Sequence, residues 1–295
     1  MENKNMKDVS VVPPSQNMEV LDTKKAFTQA LKKEYAKIIQ GTLFSLTWSG
    51  IFIKFLPSKF ASSDFGFIII ILPWIILFLF IGAIYAVVRE AFWKQLALKY
   101  NWEYTSRKKI TGEKALLFKT GRPTLDTQHG IKGVHNNQPF HIFEYAYEIG
   151  SGKNKATYSF TVFEIKFTGT FPHIYLNYKN DWYSNTPAVF SSLAKISVPR
   201  EFEKKFKLYA PKEYEIEVLE IFTPEVFSLL IDLKCNYDME FVDGELVVYT
   251  NKRFSNFKDL DMGVTEIKKV VDILSPRLNR LELTQIGDIS PLLKN

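Results

Sequence analysis

Two aromatic segments in the middle of the chain carry the side chains best suited to acid–base chemistry. His141 and Glu144 lie in the first segment, from Phe140 to Ile149, and Glu164 lies in the second, from Tyr158 to Phe167. An imidazole close to carboxylates can donate and accept protons. If the two segments pair as strands, Glu144 and Glu164 could face each other across the hairpin, and these two residues with His141 are the candidate catalytic group. A solvated sheet face is the alternative interpretation.

Four histidines lie in or beside the same strands and could converge on a metal ion. None of them belongs to a short paired ligand motif, and no cysteine joins them, so the sequence predicts neither a metal site nor a cofactor. Histidines at sheet edges explain the pattern equally well. The four are His129, His135, His141 and His173.

The segment Gly150-Ser151-Gly152-Lys153 is similar to part of a phosphate-binding loop. The match fails in detail, because Tyr147 stands where the first glycine belongs and Asn154 replaces the Ser or Thr that would hold magnesium. Strands rather than a helix are expected to follow, so the pattern predicts a hairpin loop. The sequence also has no Gly-x-Ser-x-Gly elbow to anchor a hydrolase triad.

The dipeptide Asp243-Gly244 is the best short hairpin signal in the chain. A two-residue turn here places Phe241 opposite Leu246 and Met239 opposite Val248 on one core face. The other face then carries four acidic residues, which we interpret as water-facing, with partner or cation binding as the alternative. These residues are Asp238, Glu240, Asp243 and Glu245.

Cys235 is the single cysteine of the chain, so no intrachain disulfide can form. This favours a reducing compartment. The residue ends a helical pattern that begins at Pro224, and we expect an inert buried side chain rather than a reactive thiol.

The remaining elements follow from apolar periodicity and turn residues. Further strands are predicted at Trp102 to Tyr104, Leu116 to Phe118, Gly130 to His135, Phe171 to Tyr178 and Phe206 to Tyr209. Helices are predicted at Arg89 to Tyr100, Pro224 to Leu233 and Phe257 to Leu283, and the last of these is expected to be interrupted at Pro276. The first four of these strand segments, up to Tyr178, should complete an antiparallel meander with the two aromatic segments. The predicted fold class is α+β, a mainly antiparallel β-meander domain with packed helices.

A hydrophobic hairpin is predicted to anchor this domain in a membrane. Phe65 to Val88 is 24 residues long and contains no charge, which is enough to span a bilayer at about 1.5 Å per residue. Ile38 to Leu56 is a weaker span that requires Lys54 to reach the interface. Five lysines between residues 24 and 37 precede the first span and a basic stretch from Arg89 follows the second, so both termini are expected in the cytoplasm.

The predicted organisation has six parts. They are a disordered tail over 1–22, a basic amphipathic helix over 23–37, transmembrane helices over 38–56 and 65–88, a juxtamembrane helix with the β-meander over 89–196, and an α+β unit with the Asp-Gly hairpin and a C-terminal helix over 197–295.

The charge distribution argues against nucleic-acid binding. The chain has a net charge of +6, but residues 1–110 hold 15 Lys and Arg against 8 Asp and Glu, whereas residues 111–295 hold 23 against 24. A nucleic-acid domain normally concentrates basic residues on a folded face, and the globular part has no such surplus.

The order of these parts resembles an uncharacterised family of bacterial membrane proteins. The features that carry the resemblance are the basic N-terminus, the two adjacent apolar spans, the meander with Gly-x-x-Gly, and Phe206-Lys207-Leu208-Tyr209 followed by Ile221-Phe222-Thr223-Pro224 and a helix. The resemblance covers about residues 40 to 250. It implies a bacterial cytoplasmic membrane and a cytoplasmic domain of unknown function, and it supplies no catalytic residues.

Two classes of function are compatible with these observations. The first is a membrane-anchored cytoplasmic binding or scaffolding module that uses its aromatic strands to recognise a protein, a peptide or a lipid headgroup. The second is a membrane-bound enzyme whose site is assembled from His141, Glu144 and Glu164. The expected partners are the lipid bilayer and either a partner protein or further copies of the chain. A pocket that holds the three side chains together favours the enzyme, and an exposed aromatic surface favours the binding module.

Overall fold

The computed structural model describes residues 23–55, 64–105, 114–124, 129–169, 171–179, 193–233, 236–251, 254 and 257–287. The chain divides into two compact units, Met1–Val88 and Arg89–Asn295. The predicted tail and the connection between the two predicted spans lie outside the described residues.

The first unit contains helix α1 (Thr23–Phe55) and most of helix α2 (Asp64–Tyr100). The two helices are in contact, because the Ser45 hydroxyl donates to the Pro73 carbonyl at 3.4 Å and Trp74 Nε1 donates to Ser49 Oγ at 3.0 Å. Gly41 permits this approach, since a Cβ at that position would lie 3.0 Å from Leu77 Cδ1. Within the residues that the structure describes, no helix has the combined length and apolar character that crossing a bilayer requires.

The second unit is built on one antiparallel sheet of ten strands, so the α+β class with an antiparallel sheet and packed helices is confirmed. The strands are β1 (Glu103–Thr105), β2 (Arg122–Pro123), β3 (Gly130–His135), β4 (Gln138–Ile149), β5 (Ala156–Lys166), β6 (Ile174–Tyr178), β7 (Ala194–Ile196), β8 (Phe206–Ala210), β9 (Asp238–Val242) and β10 (Glu245–Thr250).

Seven further helices or helical turns belong to the described part of the second unit. They are α3 (Leu116–Lys119), α4 (Arg200–Glu203), α5 (Glu215–Ile221), α6 (Pro224–Asp232), α7 (Phe257–Gly287), and 3-10 turns at Gly152–Asn154 and Lys212–Tyr214, with the end of α2 from Arg89 to Tyr100 packed beside them.

The strand order corrects the predicted meander. The sheet runs β1-β3-β4-β5-β10-β9-β6-β8-β7, with β2 paired to β4. The hairpin of β9 and β10 therefore lies between β5 and β6, and β6 pairs with β9 and β8 instead of following β5. The predicted boundary between the last two parts of the chain, at residue 197, falls between β7 and β8. These two strands pair with each other in the same sheet.

The first face of the sheet packs against the helices and forms the main core. Phe163 and Ile142 on this face are fully buried, as are Trp93 of α2 and Val271 of α7. Helix α7 continues through Pro276 to Gly287, so the predicted interruption is wrong, although its apolar stripe is buried from Ile267 to Leu278 as expected.

The second face carries the aromatic side chains of the two long strands. Tyr145, Tyr147 and Phe160 are at most 2% exposed, and together with Phe143 and Tyr249 they form a second buried cluster under α3. The sequence predicted a strand at Leu116 to Phe118, but the structure has the short helix α3 there. The aromatic strands are thus core, and they do not present an exposed aromatic surface.

Two local predictions are confirmed residue by residue. In the β9–β10 hairpin Phe241 pairs with Leu246 and Met239 with Val248, all four are buried in the main core, and the turn residues Asp243 and Gly244 have φ of 48° and 78°. Both positive values are typical of the two-residue turn that suits the twist of a hairpin. Helix α2 ends at Tyr100 as predicted, with Asn101 in the left-handed region at φ 55°.

Candidate functional site

A row of polar side chains crosses the second face because directly paired residues of an antiparallel sheet share a face. His141 of β4 pairs with Glu164 of β5, which pairs with Val247 of β10. Val247 pairs with Glu240 of β9, and Glu240 pairs with Tyr175 of β6. Strand register alone therefore places two carboxylates and an imidazole in one line.

His141 and Glu164 form the centre of the candidate site. His141 Nδ1 lies 3.1 Å from Glu164 Oε2, and the two residues are 7% and 4% exposed. The imidazole also packs on the Phe143 ring, with 4.6 Å between ring centroids. A carboxylate on one ring nitrogen fixes the orientation of the imidazole and favours the tautomer with the proton on Nδ1.

A cleft of about 220 Å³ opens over this pair. Two lysines stand at its sides: Lys132 of β3, which pairs with His141 across the sheet, and Lys166, two residues beyond Glu164 on the same face. Lys166 Nζ also lies 3.0 Å from Glu245 Oε1. The lining is completed by Gly133, Pro139 and Phe140. The cleft therefore combines a buried imidazole and carboxylate with two exposed ammonium groups.

Glu144 does not join this site, which corrects the prediction that it faces Glu164. Glu144 pairs with Thr161, and because it is three residues from His141 along β4 it points to the opposite face. There it accepts a hydrogen bond from Arg89 Nε at 3.0 Å, and both side chains are almost completely buried. The three predicted catalytic residues are thus divided between a pair in a cleft and a separate ion pair in the core.

The other three histidines do not converge with His141. His129 Nδ1 lies 3.0 Å from the Tyr104 hydroxyl, His135 Nε2 lies 2.6 Å from Asp272 Oδ1, and His173 Nε2 lies 2.7 Å from Glu240 Oε1. Among the residues described, no group of three or more His, Cys, Asp or Glu side chains could hold a metal ion.

The acidic side of the β9–β10 hairpin is only partly exposed to water. Asp238 is 4% exposed and Glu240 is fully buried, so the predicted water-facing surface is wrong for these two residues. Glu240 accepts hydrogen bonds from the Leu116 backbone N–H at 2.9 and 2.8 Å. Asp238 accepts one from the Tyr178 backbone N–H at 2.7 Å. Buried carboxylates require such donors, and these two fasten α3 and β6 to the hairpin.

Two tyrosines beside these carboxylates have strongly shifted acidities. Burial raises the pKa of the Tyr175 hydroxyl well above its usual value, and the nearby charge of Asp238 raises it further. Burial likewise raises the pKa of Tyr249 well above its usual value, with contributions from Tyr175 and Asp238. Ionising either hydroxyl would place a negative charge in a region that already holds two carboxylates.

The remaining motifs from the sequence contribute little to the site. The loop at Gly150 is an exposed turn between β4 and β5, with Gly150 and Gly152 at positive φ, as the hairpin-loop prediction required. Cys235 lies outside the described residues. The sequence analysis missed Lys132, whose position beside His141 follows from the β3–β4 register. The turn at Asn136-Asn137, with both φ values positive, was the available signal for that register.

The comparisons with known proteins give little beyond this geometry. No protein-family model matches the chain, and no curated protein matches it. Among solved structures, the chain is similar to the crystal structure of the mycobacterial trehalose monomycolate transport factor A, TtfA. The match covers 62% of this chain and 93% of that chain, with a TM-score of 0.44 and 11% sequence identity. Similarity at this level carries no argument about function.

Proposed function

We propose that this chain is a membrane-anchored binding module that holds a small anionic ligand in the cleft over His141 and Glu164. The observation that carries the proposal is the cleft itself, which has a hydrogen-bonded imidazole–carboxylate pair as its floor and Lys132 and Lys166 at its sides. Apolar walls with a few convergent polar groups are typical of small-ligand sites.

The charge of the cleft favours an anion. Lys132 and Lys166 bring two positive charges to its rim, and the Glu164 carboxylate is hydrogen-bonded to His141. Lys166 is also ion-paired with Glu245, so an anionic ligand competes with that carboxylate for the Lys166 ammonium group. A ligand carboxylate or phosphate could accept hydrogen bonds from the ammonium groups, which are exposed enough to move toward it. The volume of about 220 Å³ restricts the ligand, or the part of it that enters, to a small group.

Enzymatic chemistry is the second candidate, and the hydrogen bond between His141 and Glu164 is the observation that favours it. A carboxylate that orients an imidazole is a common arrangement for a general base. The described lining of the cleft contains no Ser, Thr, Cys or Tyr side chain that could serve as a nucleophile. A general base alone leaves the two lysines at the sides of the cleft without a role, whereas anion binding uses both, so binding accounts for more of the geometry.

The membrane anchor is part of the proposal and rests on the sequence. The supporting observation is the uncharged stretch from Phe65 to Val88, preceded by the weaker span from Ile38 to Leu56. Half of the side chains of the longer stretch lie outside the described residues. The basic residues that flank both segments support a cytoplasmic location for both termini and for the cleft. The resemblance to a family of bacterial membrane proteins supports the same placement.

A ligand screen on the purified full-length chain tests the binding function. We expect a small polyanion such as citrate or inorganic phosphate to raise the melting temperature in a concentration-dependent manner. The double variant Lys132→Gln/Lys166→Gln should abolish that shift, and Lys153→Gln/Lys155→Gln, on the distant β4–β5 turn, should retain it.

Two results would count against this assignment. One is an equal shift for both double variants, which would indicate a nonspecific ionic effect. The other is a shift that survives His141→Ala and both lysine substitutions, which would place the ligand elsewhere.

A further inference from the structure

Helix α5 buries one face in the core and leaves an apolar face in water. Val218 and Ile221 are fully buried, whereas Ile216 is 74% exposed and Leu219 is 39% exposed. Tyr214, just before the helix, is also 39% exposed. Ile216 and Leu219 are three residues apart, so they share the outward face. Single exposed apolar residues are ordinary on protein surfaces, but Ile216 and Leu219 together form a small apolar cluster on one helix face.

Acidic residues surround this cluster. Four glutamates lie within the helix or in the 3-10 turn before it; α5 itself contains no lysine or arginine, and the turn contributes one lysine, Lys212. None of the four carboxylates forms an ion pair with another residue in the part of the chain that the structure describes. They are Glu213, Glu215, Glu217 and Glu220. The α5 surface, defined as Ile216, Leu219 and these glutamates, is therefore apolar at its centre, and its rim is negative because four carboxylates outnumber the single ammonium group of Lys212.

We propose that the α5 surface is the docking site for a basic amphipathic helix of a partner protein. Leucine-like side chains of such a helix would remove Ile216 and Leu219 from water, and its lysines or arginines would meet the glutamates at the rim. Charge complementarity selects this occupant. A second copy docking through the same surface would bring like charges together, and an anionic membrane surface would be repelled by the same glutamates.

The docking site is separate from the proposed ligand cleft. Helix α5 contributes Val218 and Ile221 to the core on the first face of the sheet, whereas the cleft opens on the second face. Substitutions at Ile216 and Leu219 therefore leave the cleft residues unchanged. The two proposals can fail independently.

The test measures binding of a fluorescent synthetic peptide to the purified full-length chain by anisotropy. The probe is a lysine- and leucine-containing amphipathic helix, and a peptide with every lysine replaced by glutamate is its control. We expect the basic peptide to bind and the acidic peptide not to bind. The double variant Ile216→Ser/Leu219→Ser should weaken binding at least about tenfold, and Glu213→Lys/Glu220→Lys should do the same.

Val134→Ser serves as the matched control, because Val134 is an apolar residue that is 60% exposed on β3. The Val134→Ser variant should bind the basic peptide with the same affinity as the parent protein. All variants should have the melting temperature of the parent protein. Equal affinity for every variant would overturn the proposal, as would tight binding of the acidic peptide. Self-association of the parent that disappears in Ile216→Ser/Leu219→Ser would also overturn it, in favour of a second copy.

Discussion

Arg89 and Glu144 form an ion pair that is sealed from solvent on the first face of the sheet. Arg89 is 3% exposed and Glu144 is 4% exposed, and Arg89 Nη1 also donates to the Phe254 carbonyl at 3.2 Å. Arg89 was one of the basic residues that the flanking-charge argument assigned to the membrane surface. In the structure its charge is neutralised within the second unit, so Arg89 no longer supports the flanking-charge argument.

Breaking this pair should be costly. Arg89→Met or Glu144→Met alone leaves an uncompensated buried charge, so each should lower the free energy of unfolding by about 3–5 kcal/mol. The double variant Arg89→Met/Glu144→Met should recover most of that loss, because a well-packed apolar pair can replace a buried ion pair. Urea unfolding followed by tryptophan fluorescence measures all three.

The exposed pair of Lys94 and Glu90, at 2.7 Å, is the control for that series. Lys94→Met should leave the urea midpoint nearly unchanged, because solvent screens the pair. Single variants at Arg89 and Glu144 that behave like Lys94→Met would show that the buried pair contributes little.

The turn glycine of the β9–β10 hairpin allows a comparison between backbone strain and steric clash. Gly244 has φ +78°, and a Cβ there would lie 2.6 Å from the Gly169 carbonyl oxygen. Gly152 has φ +57° with no atom within 4 Å of the same position. Gly244→Val should therefore cost well over about 1 kcal/mol, and Gly152→Val about 1 kcal/mol, the cost of the left-handed backbone alone. Equal losses in thermal or urea melts would contradict the close approach at Gly169.

The proposed topology can be checked with single cysteines. Cys235→Ser provides a background without thiols, into which Ser62→Cys or Ser151→Cys is introduced. Ser151 is exposed on the β4–β5 turn. If both apolar segments cross the membrane, an impermeant thiol reagent applied to intact cells should label position 62 and spare position 151. Labelling at 151 without labelling at 62 would place the second unit outside the cell.

The buried tyrosines predict how stability depends on alkaline pH. The pKa values of Tyr175 and Tyr249 are raised in the folded state, mainly by burial, while an unfolded tyrosine ionises near pH 10. Above about pH 10 the unfolded chain therefore binds fewer protons than the folded chain, and stability falls as pH rises. Below that pH the two states bind equal numbers at these sites, so no effect is expected.

Melting temperatures between pH 8 and pH 11 measure this effect, with both limits chosen to bracket the usual tyrosine pKa of about 10. Tyr175→Phe should flatten the alkaline decline, because it removes one of the shifted groups. Tyr214→Phe removes a hydroxyl from an exposed ring and should give a curve parallel to that of the parent. If the melting-temperature curve of Tyr175→Phe is also parallel to that of the parent protein, Tyr175 does not contribute to the alkaline loss of stability, and the prediction is wrong.

Local signals in the sequence were sufficient for elements whose geometry is decided by neighbouring residues. The Asp243-Gly244 turn, strand β3 and helix α6 from Pro224 were all predicted correctly from turn chemistry and periodicity. Leu116 to Phe118 was assigned wrongly, because three apolar residues have no readable period. In the structure the backbone there is held by Glu240, which is far away in sequence.

The candidate site required information that no local pattern contains. Alternation places Glu240 on the side opposite Phe241, and a polar residue on that side is normally exposed. It is buried here because β9 is a central strand covered on both faces. The strand register also separates Glu144 from Glu164. Glu164 pairs with His141, and Glu144 lies three positions after His141 along β4, so its side chain is on the opposite face of the sheet.

The position of the β9–β10 hairpin has a consequence for biosynthesis. Strands β4 and β5 are adjacent in the sequence and can pair as soon as they leave the ribosome. The free edge of β5 is covered by β10, which is translated last among the strands that the structure describes. One edge of strand β6 likewise stays unpaired until β9 has been translated. Until then the nascent chain presents long apolar edges, which are sites of aggregation. We therefore expect the sheet to close after translation, with chaperones protecting the nascent edge of β5.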